Sequence, residues 1–271
     1  MCTVVILRRP GHAWPLIFAA NRDERLDRPW QPPGRHWPDR RQIVAGLDVL
    51  AGGTWMGIND YGVVAAILNR PASLGPTPHH RSRGELPLEA LEHAEAAVAA
   101  ESLAALETRS YRTFNMVIAD AQRAFWLRSA GGENGRPEGA PVDVTELPVG
   151  VSMVTAHDLN DLGSPRIRFH LPRFAVATPP DPDNDDWAAW SALLASEEGE
   201  AGQTDASPSG AINVAPRGGF GTVCSSLIAL PAPRMPIRPP VWHFAPGRPG
   251  QAPFAPLNIA DSAVTAQAPD F

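Results

Sequence analysis

Two apolar, partly β-branched runs, CTVVIL at 2–7 and PLIFAAN at 15–21, flank an Arg-Arg-Pro-Gly-His connection, a pattern that predicts a β-hairpin. The segment 27–41 is rich in proline and arginine without an apolar period, and predicts an irregular connection. A second pair of apolar runs within 52–71 brackets Asn59-Asp60-Tyr61-Gly62, a turn composition in which Gly62 suits a positive φ. Both runs are too continuous for a sheet with one face in water, so this hairpin is expected inside a layered sandwich. From Arg83 to Thr108 the apolar positions recur at helical period among Glu and Ala, predicting an amphipathic helix against a sheet.

Further strands are expected at 114–120 and 123–129 across a short turn, and the stretch 145–156 continues the sheet-rich middle of the chain. The segments 165–177 and 183–198 read as helices, the second with an acidic first turn that favours its N-terminus and with Trp187 and Trp190 as an inward stripe. A Gly, Ser and Pro-rich loop spans 199–219, and strands return at 220–230 and 241–247. Hairpins, then helices, then strands again predict two sheets with helices outside them.

Length and composition narrow this picture. A chain of 271 residues accommodates one large layered domain, placed at 1–247, with 248–271 as a proline-containing tail that wraps the surface or is disordered. The net charge of -6 comes from 29 acidic residues against 23 basic ones, all arginine, with no basic block longer than Arg40-Arg41. That argues against nucleic acid as a partner. Two cysteines provide neither a disulfide framework nor a C-x-x-C zinc signature, which suits a reducing compartment. The first arginines follow the apolar run instead of preceding it, and no apolar stretch approaches about 18 residues. The expectation is a cytoplasmic protein without a transmembrane segment, its oligomeric state open. The adjacent His79 and His80 have no clustered third ligand, so no metal is expected. Trp30, Trp37, Trp55 and Trp126 are expected in core and lid packing, with a ligand cleft as the alternative.

Candidate chemistry starts at Cys2. Removal of Met1, favoured before a small residue, gives Cys2 both a thiol and a free α-amino group. An amine of pKa about 7.7–8.0 can take the thiol proton near neutral pH, so the pair is a nucleophile with its own base. The bland alternative is a small hydrophobe that begins a strand. Asn21-Arg22-Asp23-Glu24 ends the strand that pairs back towards Cys2, and alternation puts Asn21 and Asp23 on one face and Arg22 and Glu24 on the other. A carboxylate there would orient the amine and an arginine would favour thiolate, whereas the alternative is a solvated charge cluster. Asn69, at the end of AAILN, is either a donor to a developing oxyanion or a turn residue before Arg70-Pro71.

Met1-Cys2-Thr3, the Asn21-Arg22-Asp23-Glu24 quartet, and Gly53-Thr54-Trp55-Met56-Gly57 followed by Asn59 to Asn69 resemble the NRDE family, also called the transport and Golgi organisation protein 2 family. The resemblance implies an α+β fold, a four-layer αββα sandwich of the N-terminal-nucleophile hydrolase type, and eukaryotic relatives linked to haem mobilisation and to lipid or acyl-CoA metabolism. More distantly, Gly57-Ile58-Asn59-Asp60-Tyr61-Gly62 and Leu68-Asn69 are similar to bile-salt and penicillin V amidases. Carried over residue by residue, the resemblance implies Cys2 as nucleophile, Asp23 as the carboxylate that orients the amine and Asn69 as oxyanion donor. Arg22 sits one position from the amidases' arginine. Substrate contacts are expected from Asn21, Glu24, Trp55, Asn59 and His157. The ligand implied is a small amphiphile, with no required cofactor and with haem as a ligand the resemblance admits. Two departures accompany it: Val154-Thr155-Ala156-His157 lacks the amidases' second Asn unless His157 or Asn160 replaces it, and Val223-Cys224 stands where the family often has Arg-Ser. The reading that follows is hydrolysis of an amide or thioester at Cys2, with a non-catalytic haem or acyl-CoA carrier as the alternative.

Overall fold

The computed structural model describes residues 2–75, 77–199, 210–233 and 238–259. Thirteen strands among them form two antiparallel sheets. The first is built from β1 (Thr3–Arg8), β2 (Leu16–Arg25), β10 (Gly150–Val154), β11 (Phe220–Leu230), β12 (Val241–Ala245) and β13 (Ala255–Pro256), in the order β10-β1-β2-β11-β12-β13. The second contains β3 (Trp30–Gly34), β4 (Ile43–Asp48), β5 (Met56–Asn59), β6 (Val64–Asn69), β7 (Phe114–Ala119), β8 (Ala124–Ser129) and β9 (Asp143–Glu146), paired in sequence order.

Both sheets are apolar on both faces, which is why their sequences run hydrophobic without a strict alternation. On β1 and β2, Val4, Ile6, Phe18 and Ala20 face the second sheet, while Val5, Leu7, Ile17 and Ala19 face outwards under α3 (Pro165–Val176) and α4 (Ala188–Leu194). On the second sheet Ile58, Ala66 and Val117 face inwards. Its outer face, with Ala65, Met116 and Ile118, is covered by α1 (Glu85–Ala90) and α2 (Ala96–Ala104). The result is the expected α+β sandwich of four layers, helix, sheet, sheet and helix. No helix among the described residues is long and apolar enough to cross a membrane.

Several local expectations are corrected. The segment 27–41 is not wholly irregular, since β3 runs through Pro32 and Pro33 at the edge of its sheet. A shift of register between Gln31 and Gly34 lets the ladder tolerate residues without an amide donor. The single helix read over 83–108 is two, separated at 91–95. There the buried Asn59 amide donates to the Leu91 and His93 carbonyls, and the Asp120 carboxylate accepts from the Ala96 amide at the start of α2. The acidic stretch at 183–186 is a turn before α4, which begins at Ala188. The stretch 145–156 divides between the two sheets. Trp187 and Trp190 are buried against the first sheet, as their spacing indicated. Residues 200–209 of the expected loop and 260–271 of the expected tail lie outside the described residues, as does Met1.

Candidate functional site

The register of the first sheet explains how the quartet meets the N-terminus. Thr3 pairs with Asn21, and Asn21 pairs on its other side with Ser225. One step further along, Arg22 pairs with Cys224, and Cys2 lies across from Arg22 on the opposite flank. Cys2 and Cys224 therefore flank Arg22, and all three line one small cavity between the sheets, with Trp55 and Leu68 opposite. Its free volume is about 20 Å³, close to the space one water-sized group occupies. Two thiols separated by an intervening strand are about 10 Å apart at Cα, beyond the reach of a disulfide, and both are free.

Cys2 is half-buried, its Sγ 3.6 Å from the Asp23 carbonyl oxygen. Burial pushes its thiol above the ordinary value, and the Asp23 carboxylate adds to the rise, while a backbone hydrogen bond at Asp23 and the Arg22 guanidinium oppose it. Cys224, deeper in the core, is pushed up to about 12, chiefly by burial. The more accessible thiol is thus Cys2.

Asp23 faces the helix side of the sheet, where strand alternation put it with Asn21. Its side chain is fully buried, accepting from Thr222 Oγ1 at 2.7 Å and pairing with Arg166 Nη1 at 3.0 Å. The same Arg166 nitrogen donates to Thr3 Oγ1 at 2.9 Å. Arg166 comes from the first turn of α3, and sequence reasoning missed it, because a single arginine in an amphipathic helix gives no sign of pointing inwards. Thr222 lies beside a bulge that leaves Val223 out of the ladder.

Arg22 is held on the inner face. Its guanidinium lies 4.0 Å over the Trp55 ring, and Nη2 is 3.4 Å from Asp48 Oδ2 and 3.9 Å from Glu24 Oε2. Trp55 occupies the space beside Gly46, where a Cβ would come within 2.2 Å of the ring, so glycine is required there. Trp30 meets Trp55 edge-on at 5.8 Å. Glu24 also sits 3.8 Å from Arg28.

The remaining expected residues separate. Asn21 has its amide fully engaged: Nδ2 donates to the Leu194 and Ile212 carbonyls and Oδ1 accepts from Ser225. Asn59 is engaged likewise, with Oδ1 accepting from the Tyr61 and Val63 amides. Both are pins of the fold, and neither has a side-chain N–H left for a substrate. Asn69, half-buried at the end of β6, shares the outer sheet face of Ala65 and Ile67 by alternation and is not among the residues lining the cavity. His157 lies in the loop after β10, its Nδ1 3.8 Å from Asp161. Asn160 is turned towards β10, where Oδ1 accepts from the Met153 amide and Nδ2 donates to Ser152, and it does not line the cavity. No cluster of three metal-ligating side chains occurs among the described residues.

A second charged group closes the same loops. The buried Arg70 donates to Glu133 through Nε and Nη2 and to Asn115 and Asp158 through Nη1, all at 2.7–3.0 Å. Asn115 in turn donates to the Thr155 and His157 carbonyls, tying the two sheets together.

Comparison with known proteins places this architecture. Residues 1–161 match the model of the family described as Transport and Golgi organisation 2. The chain is 34% identical over 147 residues to the Transport and Golgi organization 2 homolog of Mus musculus, 52% of this chain and 51% of that protein. It is 35% identical over 118 residues to the Homo sapiens homolog, 42% of this chain and 41% of that protein. The match thus spans about half the length of these curated relatives or less. Among solved structures, the Caenorhabditis elegans N-acylethanolamine-hydrolyzing acid amidase ortholog superposes with a TM-score of 0.54 at 12% identity, over 83% of this chain and 92% of that one. A C2A mutant of conjugated bile acid hydrolase from Clostridium perfringens superposes with a TM-score of 0.50 at 10% identity, over 97% and 94%. These structural likenesses establish the fold, and the sequence match establishes kinship: the chain belongs to the Transport and Golgi organisation 2 family and carries the sandwich of the N-terminal-nucleophile hydrolases.

Proposed function

We propose that the protein hydrolyses an amide or thioester of a small amphiphile, with Cys2 as nucleophile once Met1 has been removed. The observation that carries this reading is the row across the first sheet: a half-buried free thiol faces a cavity beside a fixed arginine, one strand from a buried, oriented carboxylate. In the reaction, the α-amine of Cys2 takes the thiol proton and the thiolate attacks the carbonyl carbon. The leaving thiol or amine departs with that proton, and water then releases the acid from the acyl-enzyme. Asp23, pinned by Arg166 and Thr222, would hold the charged form of the amine in place. Solved structures of the same fold belong to hydrolases of N-acylethanolamines and of conjugated bile acids, which supports acyl transfer as the class.

The test is thioester turnover, read as release of free thiol from an acyl thioester, with the unaltered protein, Cys2→Ala and Cys2→Ser. The expected result is turnover with the native chain and none with either variant. Turnover that survives in both variants would remove Cys2 from the chemistry. A second reading, a carrier that holds an acyl group without cleaving it, draws on the raised thiol of Cys2 and on Ala156 standing where an amide donor is expected. It requires ligand affinity to persist in Cys2→Ser with no turnover in any form.

A further inference from the structure

An acyl transfer at Cys2 needs a donor for the oxygen that becomes negative, and the two positions expected to help do not offer one at the cavity. Ala156 has no polar side chain, and Asn69 is not among the lining residues. Arg22 does line the cavity, on the same inner face as Cys2 and directly across the pair of strands from it. Its side chain is 4% exposed, yet Nη1 is buried without a hydrogen-bond partner among the described residues. Few buried donors are left so, because an unpaired one forfeits its hydration. The rest of the side chain is fixed: Trp55 covers the guanidinium face at 4.0 Å, and Asp48 and Glu24 hold Nη2 from one side. A donor that is buried, charged, immobilised and unpaired is what electrostatic preorganisation requires, since it need not reorganise as charge develops.

We infer that Arg22 Nη1 donates to the oxyanion formed when Cys2 adds to an acyl carbonyl. This rests on the reading of Cys2 as nucleophile. In the step, the thiolate Sγ forms a bond to the carbonyl carbon and the π pair moves onto oxygen. The alkoxide is held by Nη1, then collapses to re-form the carbonyl as the bond to the leaving sulfur or nitrogen breaks. That leaving group carries off the proton first taken from the thiol. The cavity that Cys2 and Arg22 share is small, about 20 Å³ of free space, and partly open, so it takes the carbonyl end of an acyl thioester or amide while the chain extends outwards.

The experiment compares two reactions of the same thiol in the native chain, Arg22→Met and Arg22→Lys. Acylation by an octanoyl thioester passes through an oxyanion; alkylation by iodoacetamide does not. Arg22→Met is expected to slow acylation by about 10²-fold and alkylation by less than about tenfold, the change one unit of thiol pKa would give. Arg22→Lys keeps the charge but not the fork, so it is expected between the two. Parallel loss of both reactions, or loss of neither, would overturn the assignment. If the native chain is not acylated at all, the failure belongs to Cys2, and the donor is judged by thermal shift with formate. Saturable stabilisation that Arg22→Met abolishes supports an anion site at Nη1, and its absence overturns it. Stabilisation by octanoate alone, with an unchanged ratio of the two reactions, would assign Arg22 to a ligand's carboxylate and contradict the oxyanion role.

Discussion

Arg22 and Arg70 are buried to almost the same extent, 4% and 6% exposed, one on each sheet, and they are treated in opposite ways by their surroundings. Arg70 has Nε, Nη1 and Nη2 all engaged with Glu133, Asp158 and Asn115, so its charge is neutralised and its geometry closed. Arg22 keeps a weaker set, a 3.4 Å contact to Asp48 that is itself shared with Arg28 at 2.7 Å, and leaves one nitrogen without a partner. Burying a cation is tolerable when every donor is matched. The first arrangement serves the fold, joining the loops after three strands; the second forgoes a hydrogen bond beside a free thiol. Burial alone therefore does not separate these two arginines, whereas the hydrogen bonding of their Nη1 atoms does.

The comparison breaks most clearly in stability. Arg70→Met leaves Glu133 without its cation, Asp158 with Arg128 alone and the Asn115 oxygen with Trp126 Nε1 alone, and a loss of about 3 kcal/mol is expected in denaturant unfolding, the lower end of the range for breaking a buried pair because Glu133 and Asp158 retain some exposure. Gly46→Ala comes next, at about 1–3 kcal/mol, since its methyl would displace the Trp55 ring that covers Arg22. Arg22→Met is expected to cost only about 1 kcal/mol, because an already unpaired donor is removed and Asp48 keeps Arg28. If Arg22→Met proves as destabilising as Arg70→Met, the distinction between them fails.

Thiol titration sharpens the same contrast. The Arg22 guanidinium pulls the Cys2 thiol down against burial and Asp23, so Arg22→Met should move the midpoint of iodoacetamide alkylation to higher pH, and Asp23→Asn should move it to lower pH. Arg70→Met should leave it unchanged. Equal shifts in Arg22→Met and Arg70→Met, read from alkylation rates between pH 7 and 10, would show that the effect is not local to the row.

Much of the frame could be read from the chain because the physics was local. The hairpin of β1 and β2 declares itself by apolar runs around Pro10-Gly11, and Trp187 and Trp190 by their spacing. The edge strand β3 was hidden by Pro32 and Pro33, whose tolerance depends on neighbours that the sequence does not show. The break between α1 and α2 depends on Asn59, more than thirty residues upstream, and no periodicity carries that information. At the site, strand alternation separated Asp23 from Arg22 correctly, but register was needed to bring Cys224 beside them. Arg166 and Thr222 approach Asp23 from 143 and 199 residues away, and such contacts leave no local trace.

The central claim, that Cys2 is the nucleophile of an acyl-transfer site, is tested most directly by intact mass before and after brief incubation with an acyl thioester. A species without Met1 that gains one acyl group is expected, and no gain in Cys2→Ala. Retention of Met1 with no adduct in the native chain would contradict it.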